Sequence, residues 1–400
     1  MVPEPPTNTE EIGAVVVRRW CPGKRARGLA RRTEFLEHTT VDSTEYIPYD
    51  SNMVLGNHDV ATVNDVACGR PSGSAVGAVS DAFVRRMAIM YGSDLPPAVA
   101  AVSRQRILDA LGDVLGSVRH GTVTKLRAAA RRLDREGAIP LPGGGDRFGP
   151  GWATRIFGVA EGLGALQRSQ SSGAVHRETT ALAVVWSLVA MEPQSAEPTA
   201  GRDRGDRELA AFACGIEGQL RIRRAVVLGR DEEGWDLAGL IGVIGAAMTA
   251  TALLGGRESE FSKALGIAAS MTVGVGEMSG SDVEPFHAGQ ACANGLQAAL
   301  LARQDFWASS RVLEADRGYF SVLFGRDWDP SIMSSGPIEG EWLFQETAEP
   351  ADGRVPEEDF VRRAEPVVGC RRAREALQCI SSLGNSTEIR DLMEICDVTS

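Results

Sequence analysis

The chain has 400 residues, a net charge of −11, and 43% hydrophobic and 24% charged side chains, the balance of an ordinary globule with room for roughly two domains. Nucleic-acid binding is disfavoured, because phosphate contacts need clustered Lys and Arg. The dense basic cluster, Arg18 to Arg32, is followed closely by acids and reads as a solvated or targeting-like tail.

Residues 1–77 are rich in Pro, Thr, Asn and charge, lack periodicity and end in a Gly/Ser-rich run. They read as a poorly ordered extension. The first twelve residues hold Glu and Pro and no apolar stretch, so no signal peptide is expected. A helical pattern begins at Ser80-Asp81, a plausible cap. Asp94-Leu95-Pro96-Pro97 breaks it, and Pro favours the start of the next helix. There Val99, Val102, Ile107, Leu108, Leu111, Val114 and Leu115 mark one apolar face. A helix over about 123–133 follows, then a Gly/Pro loop over 140–151. Further helices are expected over 153–166, 178–191, 206–228, 236–254, 258–275 and 287–303. Leu237 to Gly256 carries no charge, but its Gly and Ala content and the charges that follow at once suit a helix buried in a bundle better than a membrane span. The stretch 305–355 is the least regular, with scattered Trp, Pro and Gly. Helices return over 356–368 and 371–383, with a short turn over 388–395. Almost nothing alternates as a strand would, so the fold class is all-α.

The seven Cys form no CxxC and no regular framework, and Cys214, Cys292, Cys379 and Cys396 sit among apolar residues, as reduced buried thiols do. A cytoplasmic location fits. No HxH, HExxH or CxxC spacing suggests a metal site. Gly143 to Gly145 lacks a Lys-Ser/Thr sequel and reads as a loop.

Three segments resemble the MmgE/PrpD family, which includes 2-methylcitrate dehydratase and cis-aconitate decarboxylase. They are Asp94 to Ser117, with its LD-LG pattern; Gly234 to Phe306, whose core is PFHAG at Pro285 to Gly289 followed by AALLA; and the closing segment from Val355. The resemblance implies a helical bundle over 78–305, with helices 356–400 closing on it, and a homodimer. Residues 306–355 are too few for the family's small α+β lid, which is therefore largely missing. The chain also departs from the family pattern at the chemistry. Gln167 stands where the first Asp of an H-A-x-D-x-D-D-T stretch is expected, and no carboxylate remains over 164–171. His176 matches a His-Pro but is followed by Arg177. The His of a G-F-H-x-T turn is Asp236, after Trp235. The Lys of Lys-Pro-x-His is Glu284, while His287 is kept.

Family chemistry begins with removal of a proton beside a carboxylate, held by cationic groups. Losing a Lys and gaining Asp236 and Glu284 disfavours a tricarboxylate, since like charges repel in a partly buried site. A small-molecule substrate that is neutral or singly charged is expected. His287, His176 and Asp236 are the candidate catalytic groups, with Gln167, Glu284 and Trp235 as candidate substrate contacts. Each has a structural alternative. His287 could cap or pack at a helix start, and Asp236 after Gly-Trp is an ordinary N-cap. The functional reading is a cofactor-independent lyase, isomerase or cyclase, with dehydration, isomerisation or cyclisation all open. The alternative is a non-catalytic binding or partner subunit.

Overall fold

The computed structural model describes residues 78–134, 137–172, 181–193, 203–226, 234–272, 274–325, 328–334, 342–344 and 355–398. In chain order the helices are α1 Ala78–Gly92, α2 Pro97–Ser117, α3 Gly121–Leu133, α4 Pro150–Ser172, α5 Ala181–Met191, α6 Arg204–Ala225, α7 Leu237–Leu253, α8 Glu258–Ala269, α9 Val283–Arg303, α10 Tyr319–Leu323, α11 Ser331–Ser334, α12 Pro356–Val368, α13 Cys370–Ser381 and α14 Ile389–Cys396. The described strands are two-residue pieces, Ile139–Pro140 antiparallel to Arg147–Phe148, so the fold is all-α. The expected extension over 1–77 lies outside the described residues.

Helix α7 is the axis of the bundle. It packs against α5, α6, α8 and α9, and every residue in it except Ala238 is buried. That enclosure explains how a helix without charge is accommodated. Among the described residues, no helix is long and apolar enough to cross a membrane. Close approach depends on missing side chains. A Cβ on Gly295 of α9 would come within 2.4 Å of Ala246 Cβ on α7, and one on Gly289 within 2.3 Å of the Arg155 carbonyl on α4. Glycine therefore sets the α9–α7 and α9–α4 spacings, and α9 is clamped between the two helices that position the site. Helix α12 packs on α2, and α14 on α5.

Three sequence expectations need correcting. Helix α1 begins at Ala78, and Ser80 caps nothing: its hydroxyl donates to Glu314 Oε2 at 2.5 Å. Helix α8 ends at Ala269, not 275; Gly274 has φ +131°, outside helical space, and Val275 forms a bridge with Trp235. Helix α9 begins at Val283, four residues before His287. Pro285 sits in its first turn, where the missing N–H has no intrahelical partner to lose.

The irregular stretch after α9 is also packed. Phe320 stacks on Trp328 with centroids 4.6 Å apart, and the buried Tyr319 hydroxyl donates to the Leu240 carbonyl of α7 at 3.1 Å.

Candidate active site

Asp236 is the N-cap of α7: its Oδ1 accepts from the Ala238 N–H at 2.9 Å. Its other oxygen, Oδ2, lies 2.8 Å from His287 Nδ1. One carboxylate therefore does two jobs, holding the start of α7, typically worth about 1 kcal/mol, and orienting the imidazole of α9. His287 is in the second turn of α9 and caps nothing, so the capping alternative does not hold. The pair is sheltered but open at an edge, with side-chain exposures of 9% for His287 and 14% for Asp236. Because Nδ1 faces a carboxylate, the ring proton belongs there and Nε2 is left as the acceptor. Nε2 makes no hydrogen bond among the described residues.

Three exposed apolar residues adjoin this pair in sequence or through a backbone bridge. Trp235, Val275 and Val283 are all exposed; Trp235 bridges to Val275, and Val283 opens α9 one turn before His287. Glu284, also one turn before His287, turns back to accept from the Gly280 N–H at 2.6 Å and closes the turn before α9. Gln167 is exposed on α4. At ~100° per residue it lies ~140° around that helix from Gly162, whose Cβ position would touch Ala288 of α9, so it points away from the pair's helix. The structure thus brings Asp236 and His287 together, with Trp235 beside them. It engages Glu284 with backbone and directs Gln167 elsewhere. His176 lies outside the described residues. Among the described residues, no three His, Cys, Asp or Glu side chains converge as a metal ion would require.

Two polar groupings were not anticipated. A ladder runs along α9 from the His287 face. Arg155 Nε of α4 donates to Gln290 Oε1 at 2.7 Å, Gln290 Nε2 donates to Asn294 Oδ1 at 3.1 Å, and Asn294 Nδ2 donates to the Met271 carbonyl at 2.8 Å. His287, Gln290 and Asn294 are spaced i, i+3, i+7, one stripe of a helix otherwise made of Gly, Ala and apolar residues near its middle. That signal was legible; its partner on α4 was not.

The second grouping joins α2, α4 and α12. Asp113 receives Arg168 through both guanidinium arms and Arg363 at 2.5 Å, with Asp109 and Asp359 nearby. Burial pushes the Asp113 carboxyl up and the two guanidiniums pull it back. Glu161, two turns before Arg168 and fully buried, has an oxygen with no hydrogen-bond partner. Burial, with the Asp113 charge adding to it, pushes its carboxyl up to about 8. These groups tie three helices together through charges that sequence spacing alone could not associate.

The sequence profile described as the MmgE/PrpD N-terminal domain matches residues 83–331. Cis-aconitate decarboxylase of Homo sapiens is 27% identical over 163 residues, a stretch covering 40% of this chain and 32% of that protein. The chain therefore matches about a third of the length of that curated relative.

Proposed function

The chain belongs to the MmgE/PrpD family, and we propose that it is a lyase- or isomerase-type enzyme in which His287 moves a proton on an organic-acid-derived substrate. The observation that carries this reading is the 2.8 Å contact between Asp236 Oδ2 and His287 Nδ1. It leaves Nε2 to take a proton from a carbon beside a carboxyl or carbonyl group. The C–H electrons pass into the enolate. The proton then returns elsewhere, for isomerisation, or a β-hydroxyl leaves as water, for dehydration; an internal carbon electrophile captured by the enolate would give cyclisation. Asp236 acts as a positioning residue that also balances the imidazolium formed in the step.

The exposed Trp235, Val275 and Val283, together with Asp236 in the pair and Glu284 one turn before His287, favour a substrate with an apolar body and little charge over a tricarboxylate. The binding-subunit alternative gains nothing from this geometry, since an oriented imidazole with a free Nε2 is not needed to hold a partner. The test is proton NMR in D₂O with a panel of hydroxy and unsaturated organic acids, looking for solvent exchange or loss of the proton beside the carboxyl. His287→Asn should slow the active substrate roughly 10²-fold or more while leaving the melting temperature nearly unchanged. Full turnover by His287→Asn would remove the assignment.

A further inference from the structure

We propose that Arg155 is the anion anchor of this site, taking a single carboxylate of the substrate end-on through its Nη1 and Nη2 groups. This inference rests on the reading of His287 as the base. Arg155 is half-buried on α4, and among the described residues no carboxylate is paired with it. Burial pulls its guanidinium down, and what opposes that pull is the Cys292 thiol rather than a carboxylate. A cation left in this state ordinarily shifts outward or acquires a partner. Here it is held in place instead.

Two contacts fix the fork. Its Cζ lies over the Trp152 ring, 4.6 Å from the centroid, and its Nε is taken by Gln290. The direction of the Gln290 amide follows from the ends of the ladder. The Met271 carbonyl only accepts, so Asn294 turns its NH₂ toward it and its oxygen toward Gln290. Gln290 then spends its NH₂ on Asn294 and presents its oxygen to Arg155, which only donates. Each amide has one orientation that satisfies the ladder, so the guanidinium is preorganised. With Nε occupied and Nη1 only weakly engaged by the Gly151 carbonyl at 3.4 Å, the Nη edge remains for a ligand. That edge matches the two oxygens of a carboxylate.

Gln290 follows His287 by one helical turn, which brings their side chains to about 5–6 Å at Cβ. A carboxylate at Arg155 therefore belongs to the same molecule whose reacting carbon faces His287. Neighbouring charges limit the number of carboxylates to one. Arg155 is one cation, while the Asp236 carboxylate already stands against His287. The lysine expected by family resemblance at position 284 is absent, and Arg155 supplies positive charge from a different helix.

The test uses the full chain and simple probes: butyrate, which carries one carboxylate and a short apolar body, and butyramide, its neutral counterpart. Calorimetric titration at low salt should show butyrate binding in the millimolar range expected of so small a fragment, and no binding of butyramide. Arg155→Met, which keeps the packing on Trp152, should weaken butyrate about 10- to 100-fold, the range for a charge-assisted pair. His287→Asn should keep the wild-type affinity, so the anchor and the base fail or stand separately. If Arg155→Met does not fold, arginine-selective ¹⁵N spectra of the unaltered protein decide. The Arg155 Nε–H resonance, identified by its absence in Arg155→Lys, should move with butyrate and not with butyramide. Equal affinity in Arg155→Met, no butyrate binding to the wild type, or an unmoved Arg155 resonance would each overturn the proposal.

Discussion

Replacing Glu161 by Gln should change how stability depends on pH more than it changes stability itself. The carboxyl is fully buried between α2 and α4, and burial raises it from 4.5 to about 8. Between those two values the folded protein holds a proton on Glu161 that the unfolded chain has released. The folded state then binds more protons than the unfolded one, so stability falls as pH rises, by about 1.4 kcal/mol for each pH unit. This contribution is fully present below about 4.5 and is lost as pH approaches 8, a span worth roughly 5 kcal/mol in all. Glu208, also raised to about 8 by burial, adds a second such group. Comparing Glu161→Gln with the wild type cancels Glu208 and every other titration common to both. Gln cannot ionise, so the variant should gain on the wild type by about 2–3 kcal/mol between pH 5.5 and 7.5. Urea unfolding followed by circular dichroism at pH 5.5, 6.5 and 7.5 measures that difference. Two stability curves that stay parallel across the three pH values would refute the reasoning, since Glu161 would then have the same charge folded and unfolded.

Two further outcomes follow from the site and its frame. Asp236→Asn keeps an N-cap side chain but removes the charge beside His287 Nδ1. Turnover of the true substrate should therefore fall roughly 10²-fold with a melting temperature close to wild type, and a large melting loss with intact turnover would contradict the positioning role. Gly295→Ala places a methyl 2.4 Å from Ala246 Cβ. It should destabilise by about 1–3 kcal/mol where an exposed helical site would gain, and a higher urea midpoint would show that α9 can move away from α7 without strain.

Much of the bundle was legible because it is written in short-range signals. Pro356 to Val368 was readable to the residue from its N-terminal Pro and apolar spacing, and the chargeless run from Leu237 announced a buried helix. The misplaced boundaries of α8 and α9 have different causes, one tertiary and one local. Helix α8 stops where Met271 gives its carbonyl to Asn294 and Val275 pairs with Trp235. Helix α9 starts early because Pro285 is harmless in a first turn. Phe320 and Trp328 lie eight positions apart in a stretch without regular pattern, yet they stack, and Tyr319 ties α10 to α7.

The candidate site divides along the same line. Asp236 and His287 were each visible as departures from or matches to a family pattern, but 51 positions separate them, and nothing in either segment states that they touch. Their contact also removes an apparent opposition in the sequence, where Asp236 could be a cap or a functional acid. A carboxylate has two oxygens, and here Oδ1 serves α7 while Oδ2 serves His287. The loss of acids over 164–171 has a comparable consequence inside the bundle. Gln167 and Ser169 flank Arg168 without charge, and the arginine instead pairs with Asp113 to close a buried network across α2, α4 and α12. A segment that would be acidic by family resemblance thus becomes a structural tie, while the positive charge for a substrate is found one helical face away, on Arg155. The chemistry of this chain is best sought where its charges now lie, along the stripe of α9 that carries His287, Gln290 and Asn294.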